Sequence, residues 1–431
     1  MRKGIKLIPF AYLLFRFYIQ GISETLQKGI IIGVLLIYLF FNINILVKKN
    51  KMFYEKAFCF FLVLLCIVFV AALNMFQDVS FVRKIMSFCL DFLCVISFCV
   101  HIYKQKESNK FKLVVDEYCT IIMMYVAFSL LCMIVPQVGG FWKSIIVMSE
   151  HDRYMLDMIA KYAGRFGWNG FAGYGATFAC SLGIYLAIVY LHSIYIHKNE
   201  GSYLKYYSFI IVCLIGNFFY GRIGLVVSAL IILMFIAKIC FVNGRLGVFV
   251  GFFCAGIGAL LLLLLLKDKV SLMNSVYNWV FEPILNYLSG NGFSADSLDS
   301  LKTMYKLPSF STFLIGDGFY TNLSTGGYYQ STDVGFLRLI YYWGIIPTVL
   351  LYILLINTFK KTFFYNSKFS YLTFVLLFVL FEMKGEVAIS LTIYMICFLL
   401  LHSCSKPITT KGETHEAQTR NHGSNVRVQH Q

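Results

Sequence analysis

The chain runs repeatedly for fifteen residues or more without a charged side chain, as in Ile30–Val47, Phe58–Ala72 and Val248–Leu266. Such runs restrict the fold severely. A helix crosses the hydrocarbon layer in about 20 residues, and inside that layer no water satisfies backbone N–H and C=O groups, so only a helix or a closed barrel can span it. Barrel strands alternate apolar and polar residues with a period of two, whereas these runs are continuous. The fold class read from them is all-α, a polytopic integral membrane helical bundle. Composition agrees: 59% of the residues are hydrophobic and 13% are charged, against roughly a quarter charged in a soluble domain.

About twelve spans are expected, at 5–22, 29–47, 57–76, 85–103, 115–135, 171–191, 204–219, 222–241, 247–266, 334–357, 369–382 and 386–402. Lys and Arg gather in alternate connections, as they do in short cytoplasmic loops. One set holds Lys48, Lys49, Lys51 and Lys56, then Lys104, Lys106, Lys110 and Lys112, then Lys198 and Lys205, then Lys238 and Arg245, then Lys360, Lys361 and Lys368. Arg2, Lys3, Lys406 and Lys411 belong with it, which places both termini in the cytoplasm. The formal net charge of +16 is thereby a topology signal, and no nucleic acid is expected as a partner.

The opposite set of connections faces outward, and two of its members are long, at about 136–170 and 267–333. Both are rich in aromatics, and Val276–Leu288 has the pattern of a surface-lying amphipathic helix. Long loops in a compact fold are functional or disordered; the aromatics and short apolar stretches favour ordered and functional ones. Residues 1–404 therefore form one transmembrane domain, and the polar tail at 405–431 is expected to be disordered. Twelve of the 13 cysteines lie within or beside apolar runs, and Cys404 follows the last one. They read as small apolar residues without disulfides or a metal site. The first run lacks a small-residue cleavage site, so no cleavable signal peptide is expected.

Phosphate-loop and zinc-protease motifs are absent, and the outward side holds the chemistry. Arg165 sits in Gly164-Arg165-Phe166-Gly167-Trp168-Asn169-Gly170, Arg222 in Gly221-Arg222-Ile223-Gly224, and Arg338 about one turn inside the span that follows Asp333. A guanidinium stays charged and grips phosphate oxygens bidentately, and neighbouring glycines permit close backbone approach. Arg165 and Arg222 have an ordinary alternative in snorkelling to lipid headgroups. Arg338 requires a partner, because an ionisable group within a span costs roughly 2.5–3.5 kcal/mol; Asp333, one helical turn away, or a carboxylate from another span would serve. Asp333 could equally complement the helix dipole, and Glu382, Lys384 and Glu386 could form a solvated turn. Trp142, Trp168, Trp279 and Trp343 fit an interfacial belt. Trp168, with Tyr320, Tyr328 and Tyr329, also fits stacking on sugar rings.

The run Gly316-Asp317-Gly318, Asp333-Val334-Gly335-Phe336-Leu337-Arg338, Gly344, together with Gly221-Arg222-Ile223-Gly224 at an outer hairpin and one dominant late outer loop, resembles the O-antigen and exopolysaccharide polymerase family. The resemblance covers the layout of the whole chain. It implies a glycosyltransferase at the periplasmic face of a bacterial inner membrane that joins undecaprenyl-diphosphate-linked oligosaccharide repeat units, with no cofactor and no metal, in contact with membrane lipids and a chain-length regulator protein. Arg165, Arg222 and Arg338 would bind the diphosphate; Asp333 or Asp317 would accept the acceptor's proton, with Arg338 assisting. O-antigen ligases share the layout and carry a histidine in the large outer loop; 267–333 has none, and His151 lies in the earlier loop. A lipid-linked oligosaccharide flippase is the rival from another class. Against it stands the sparseness of charge within spans, mainly Arg16, Asp91 and Arg338.

Overall fold

A computed structural model of the chain describes residues 15, 17–44, 65, 66, 68–70, 72, 73, 77–105, 109–148, 150–158, 165–196, 203–243, 265, 271–290, 292, 294–324, 327–363 and 368–389. The expected spans at 5–22, 57–76, 247–266 and 386–402 lie largely outside these residues, and the tail at 405–431 wholly so. The side chains of Asp91 and Trp279 also lie outside them.

The fold is mostly helical. In chain order the helices are α1 (Glu24–Phe40), α2 (Ser80–Lys104), α3 (Lys110–Ile134), α4 (Pro136–Ile145), α5 (Glu150–Met158), α6 (Tyr174–Ile196), α7 (Tyr203–Tyr220), α8 (Arg222–Asn243), α9 (Ser271–Leu288), α10 (Asp296–Met304), α11 (Phe310–Ile315), α12 (Gly335–Trp343), α13 (Ile345–Phe363) and α14 (Lys368–Glu382). Strands β1 (Phe166–Gly167) and β2 (Gly170–Phe171) make a small antiparallel hairpin between α5 and α6. Among the described residues α3, α6, α7 and α8 are long and apolar enough to cross a membrane, with shorter apolar helices at Leu93–Lys104 and Ile345–Lys360.

Helix α6 is the hub. Its apolar window is 83% buried, whereas those of α3, α7 and α8 are 39–44% buried, so α6 is surrounded by protein and the other three present apolar faces outward. Tyrosine hydroxyls in this core find internal acceptors, as an interior without water requires. Tyr118 donates to the Ala179 carbonyl at 2.8 Å, Tyr220 to Ser129 Oγ at 2.7 Å, and Tyr185 to the Ser370 carbonyl at 2.9 Å. Asn217 donates to Ser181 and Ser228 at 3.0 Å each, which ties α7 to α6 and α8.

Among the described residues, polar contacts tie the connections together in two groups. In one, Gln20 donates its amide to Ile145, Asp78 accepts the amides of Tyr320 and Thr321, Arg222 pairs with Glu282, and Tyr305 donates to the Met383 carbonyl. In the other, Lys205 pairs with Asp116, and Gln105 donates to Glu117. Both long connections, at 136–170 and 267–333, are built of helices and turns where they are described, with strand β1 at the end of the first. Ser271–Leu288 is helical, in keeping with the amphipathic pattern at 276–288.

The expected span at 334–357 is corrected: it is two helices, α12 and α13, broken at Gly344. That residue has φ +82°, and a Cβ there would lie 2.2 Å from the Leu314 carbonyl oxygen. The Gly316-Asp317-Gly318 segment caps the break. Gly316 has φ +73°, and the amides of Asp317 and Gly318 donate at 2.7 and 2.9 Å to the Tyr341 and Tyr342 carbonyls at the α12 terminus. Helix ends carry carbonyls without intrahelical donors, and here another loop supplies the donors. Trp343 Nε1 donates to Thr348 Oγ1 across the break at 2.9 Å.

Ala at position 344 meets both a backbone conformation suited to glycine and a backbone oxygen that cannot move aside. Gly344→Ala is therefore expected to destabilise the detergent-solubilised protein by about 2 kcal/mol or more, read as a lower thermal midpoint. Gly140→Ala, where a Cβ meets open space, should leave the midpoint unchanged. Equal midpoints for the two variants would contradict the docking of the 316–318 segment on the break.

Candidate functional site

Arg338 lies in α12 with 7% of its surface exposed. Its guanidinium carbon is 4.0 Å from the ring centroids of both Tyr320 and Tyr328. The charge is met by Glu386, 3.4 Å from Nη1, so the partner required from the sequence is a carboxylate on another segment. Tyr320 donates its hydroxyl to the same carboxylate. Its other ring face stacks on Phe81 at 4.4 Å. Burial, reinforced by the negative charge of Glu386, holds the Tyr320 hydroxyl well above its ordinary pKa, so it stays a proton donor. Burial and the Asp333 charge likewise raise Tyr328.

Asp78, which attracted no notice in the sequence, fixes this arrangement. It is 3% exposed and accepts the backbone amides of Ser80 at 2.9 Å, Tyr320 at 2.6 Å and Thr321 at 2.7 Å. Burial works to raise its pKa, but the hydrogen bonds from Ser80, Thr321 and Tyr320 outweigh it and hold the carboxyl below the ordinary value. A lone Asp in a short connection carries no local signal that it will bind a loop some 240 residues away.

The expectation of a solvated turn at 382–386 is corrected. Glu382 is 4% exposed and accepts the Tyr352 hydroxyl at 2.7 Å and the Val387 and Ala388 amides at 2.7 and 2.9 Å. The Glu386 side chain is 3% exposed. Tyr174 donates to the Phe381 carbonyl, and a Cβ on Gly335 would lie 2.3 Å from Glu382 Oε1. The turn is thus packed between α6, the start of α12 and α13. Burial, which packing across these elements imposes, is not visible in the local sequence.

Lys384 sits in that turn. Burial and the positive charges of Arg222 and Arg165 lower its pKa, opposed by Asp333. Arg165, Arg222 and Asp333 therefore act electrostatically on the Lys384 ammonium, and Arg338 pairs with Glu386, two residues further along. Arg165 directly precedes β1; its Nε donates to the Phe219 carbonyl at 3.2 Å, and its guanidinium lies over the Phe171 ring. Arg222 starts α8 and pairs with Glu282 of α9 at 2.7 Å. The flanking glycines serve helix packing: a Cβ would lie 2.7 Å from Thr177 Oγ1 at Gly221 and 2.3 Å from Thr177 Cγ2 at Gly224. They let α8 approach α6 closely, which positions Arg222.

The remaining expected residues separate into two groups. Asp333 stands ahead of α12, whose capping position is Val334, and acts electrostatically on both Lys384 and Tyr328. Asp317 instead accepts Thr312 Oγ1 at 2.8 Å and the Tyr329 hydroxyl at 3.1 Å, beside the helix break. Tyr329 stacks on Phe319. Trp168 is half-buried at the hairpin tip, edge-on to Phe15 and Tyr125, and its carbonyl accepts Trp142 Nε1 at 3.0 Å.

Comparison with protein-family models, with curated proteins and with solved structures finds no match to this chain.

Two consequences follow for this end of the bundle. Removing one partner of a buried ion pair leaves the other charge uncompensated, which costs about 3–5 kcal/mol. Glu386→Ala is thus expected to lower thermal stability sharply, and Glu386→Asp much less, in a melting assay. Because the folded pKa of Asp78 is depressed, its contribution is fully present above the ordinary carboxylate value and is lost as pH falls through the lower folded value. Asp78→Asn should flatten the acid limb of the pH–stability curve, and an unchanged limb would exclude this role.

Proposed function

We propose that the chain is an O-antigen or exopolysaccharide polymerase: a multi-pass glycosyltransferase of a bacterial inner membrane, with about twelve spans and cytoplasmic termini. It joins undecaprenyl-diphosphate-linked oligosaccharide units at the periplasmic face. The observation that carries this reading is that Arg338 pairs with Glu386 of the turn at 383–386, while Arg222 and Arg165 come from segments packed on the same first turn of α6 as that turn and act electrostatically on its Lys384. Snorkelling would orient each arginine separately toward headgroups; a shared turn with embedded counter-carboxylates favours a ligand that needs several cations at once.

In this mechanism the acceptor sugar hydroxyl attacks the anomeric carbon of the growing glycan. The bond from that carbon to the lipid diphosphate breaks, and the diphosphate leaves with the electron pair. Arg165 and Arg222 stabilise the charge that develops on it, the kind of preorganised electrostatic contribution that usually dominates catalysis. Arg338, held between Tyr320 and Tyr328, supplies positive potential and positions the loop. Asp333 takes the acceptor proton; its electrostatic reach to Lys384 and Tyr328 favours it over Asp317, which is engaged by Thr312 and Tyr329. Trp168 and Tyr328 are the sugar-stacking candidates. Tyr320, with its faces given to Phe81 and Arg338, and Tyr329 act as positioning residues.

The test is deletion of the gene followed by gel analysis of surface glycan and extraction of lipid-linked precursors. Loss of long chains with single-repeat units accessible at the outer face is expected; units trapped on the cytoplasmic face would replace this reading with a flippase. In the complemented strain, Arg222→Ala should lower polymer formation about 100-fold or more at unchanged membrane abundance. Asp333→Asn should be far more damaging than Asp317→Asn, and the reverse order would move the base to Asp317.

A further inference from the structure

The three arginines of the candidate site each have a protein oxygen beside them. Arg222 has Glu282 at 2.7 Å, Arg338 has Glu386 at 3.4 Å, and Arg165 has the Phe219 carbonyl at 3.2 Å. The Lys384 ammonium has neither a hydrogen bond nor an ion pair among the described residues; only its backbone amide is engaged, by Phe381. Lys384 is nevertheless largely withdrawn from solvent. Its turn is pinned from three sides, by Tyr305 on the Met383 carbonyl, Tyr174 on the Phe381 carbonyl and Tyr352 on Glu382, so the side chain is presented from a fixed backbone. A Cβ on Gly385 would lie 2.7 Å from Tyr174 Cε1 and one on Gly221 2.7 Å from Thr177 Oγ1, so this turn and the start of α8 pack on the same first turn of α6, and Arg165 reaches the Phe219 carbonyl beside them; Arg165 and Arg222 oppose the Lys384 charge, and Asp333, ahead of α12, favours it. On its own turn Glu382 is engaged by Tyr352 and backbone amides, and Glu386 by Arg338.

A half-buried ammonium among like charges is unfavourable unless something compensates it. A singly charged carboxylate would satisfy one cation, whereas a phosphate or diphosphate presents several oxygens and more than one charge. We propose that Lys384 is the primary phosphate-contacting residue of this cluster, taking phosphoryl oxygens of a lipid-borne diphosphate jointly with Arg165 and Arg222. The inference rests on the diphosphate-handling reading for the identity of the ligand. A protein that keeps such a group without a ligand trades stability for binding, which separates this role from a structural one.

The experiment uses the full chain, purified in phosphate-free detergent and melted with increasing inorganic pyrophosphate. Wild type should be stabilised saturably. Lys384→Met should raise the ligand-free melting temperature and weaken pyrophosphate binding about tenfold or more, the loss that follows from removing a charged hydrogen-bond partner. Lys384→Arg should bind within a few-fold of wild type. Lys368→Gln, at the exposed start of α14 and away from the cluster, is the control. Affinity should also fall with rising pH, starting below the ordinary lysine range because the ammonium deprotonates early, and Lys384→Arg should lack that limb. Unaltered pyrophosphate affinity in Lys384→Met, a lowered ligand-free melting temperature in that variant, or no binding by wild type would each overturn the proposal.

Repeating the titration in phosphatidylcholine nanodiscs with and without phosphatidylglycerol separates the sources of phosphate. Competition by phosphatidylglycerol would make bulk headgroups the occupant and overturn the diphosphate assignment; indifference supports it. If Arg222→Ala abolishes polymer while Lys384→Met binds pyrophosphate normally, the polymerase reading stands and the role of Lys384 falls. Lys384-dependent binding in a protein whose deletion leaves glycan length unchanged has the opposite meaning.

Discussion

The buried guanidinium of Arg338 is the group around which this end of the molecule is organised. A charge within an apolar bundle is tolerated only when paired and enclosed, and the enclosure draws on three other segments. Tyr320 and Tyr328 of the long loop cover its faces, Glu386 neutralises it, and Phe81 backs Tyr320 from the start of α2. Asp78 holds the loop that delivers Tyr320. Because these contacts depend on one another, loss of a member loosens the rest, in the manner of buried polar networks generally.

The same loop performs a second task at the break between α12 and α13. An uninterrupted helix from Gly335 onward would need no donors at its middle. Gly344 interrupts it, and the amides of Asp317 and Gly318 occupy the exposed carbonyls. The long loop is thereby pinned along α12, by Arg338 within the helix and by Asp78, Phe81 and the break at its finish. A long loop held at several points along a short buried helix is a rigid platform, which suits it to holding groups in fixed relation.

Some of this was legible from residue order. The helical class follows from the continuous apolar runs. Arg338 announced its need for a carboxylate by lying within a span. The glycines around Arg222 were legible as special but not as to purpose: they let α8 pack on Thr177 of α6, and helix contacts are long-range facts. Glu382, Lys384 and Glu386 read as an ordinary charged turn because burial belongs to neighbouring elements, not to the residues themselves.

The sequence alone determined the helical class and the apolar character of the bundle, because hydrophobic run length is a local property of the chain. Tertiary structure decided which carboxylate neutralises Arg338, that Asp78 anchors the long loop, and that the turn of Lys384 and the start of α8 pack on the same end of α6. Those pairings join residues tens to hundreds of positions apart, and electrostatic partnership depends on distance and burial in the folded state, which no local pattern encodes.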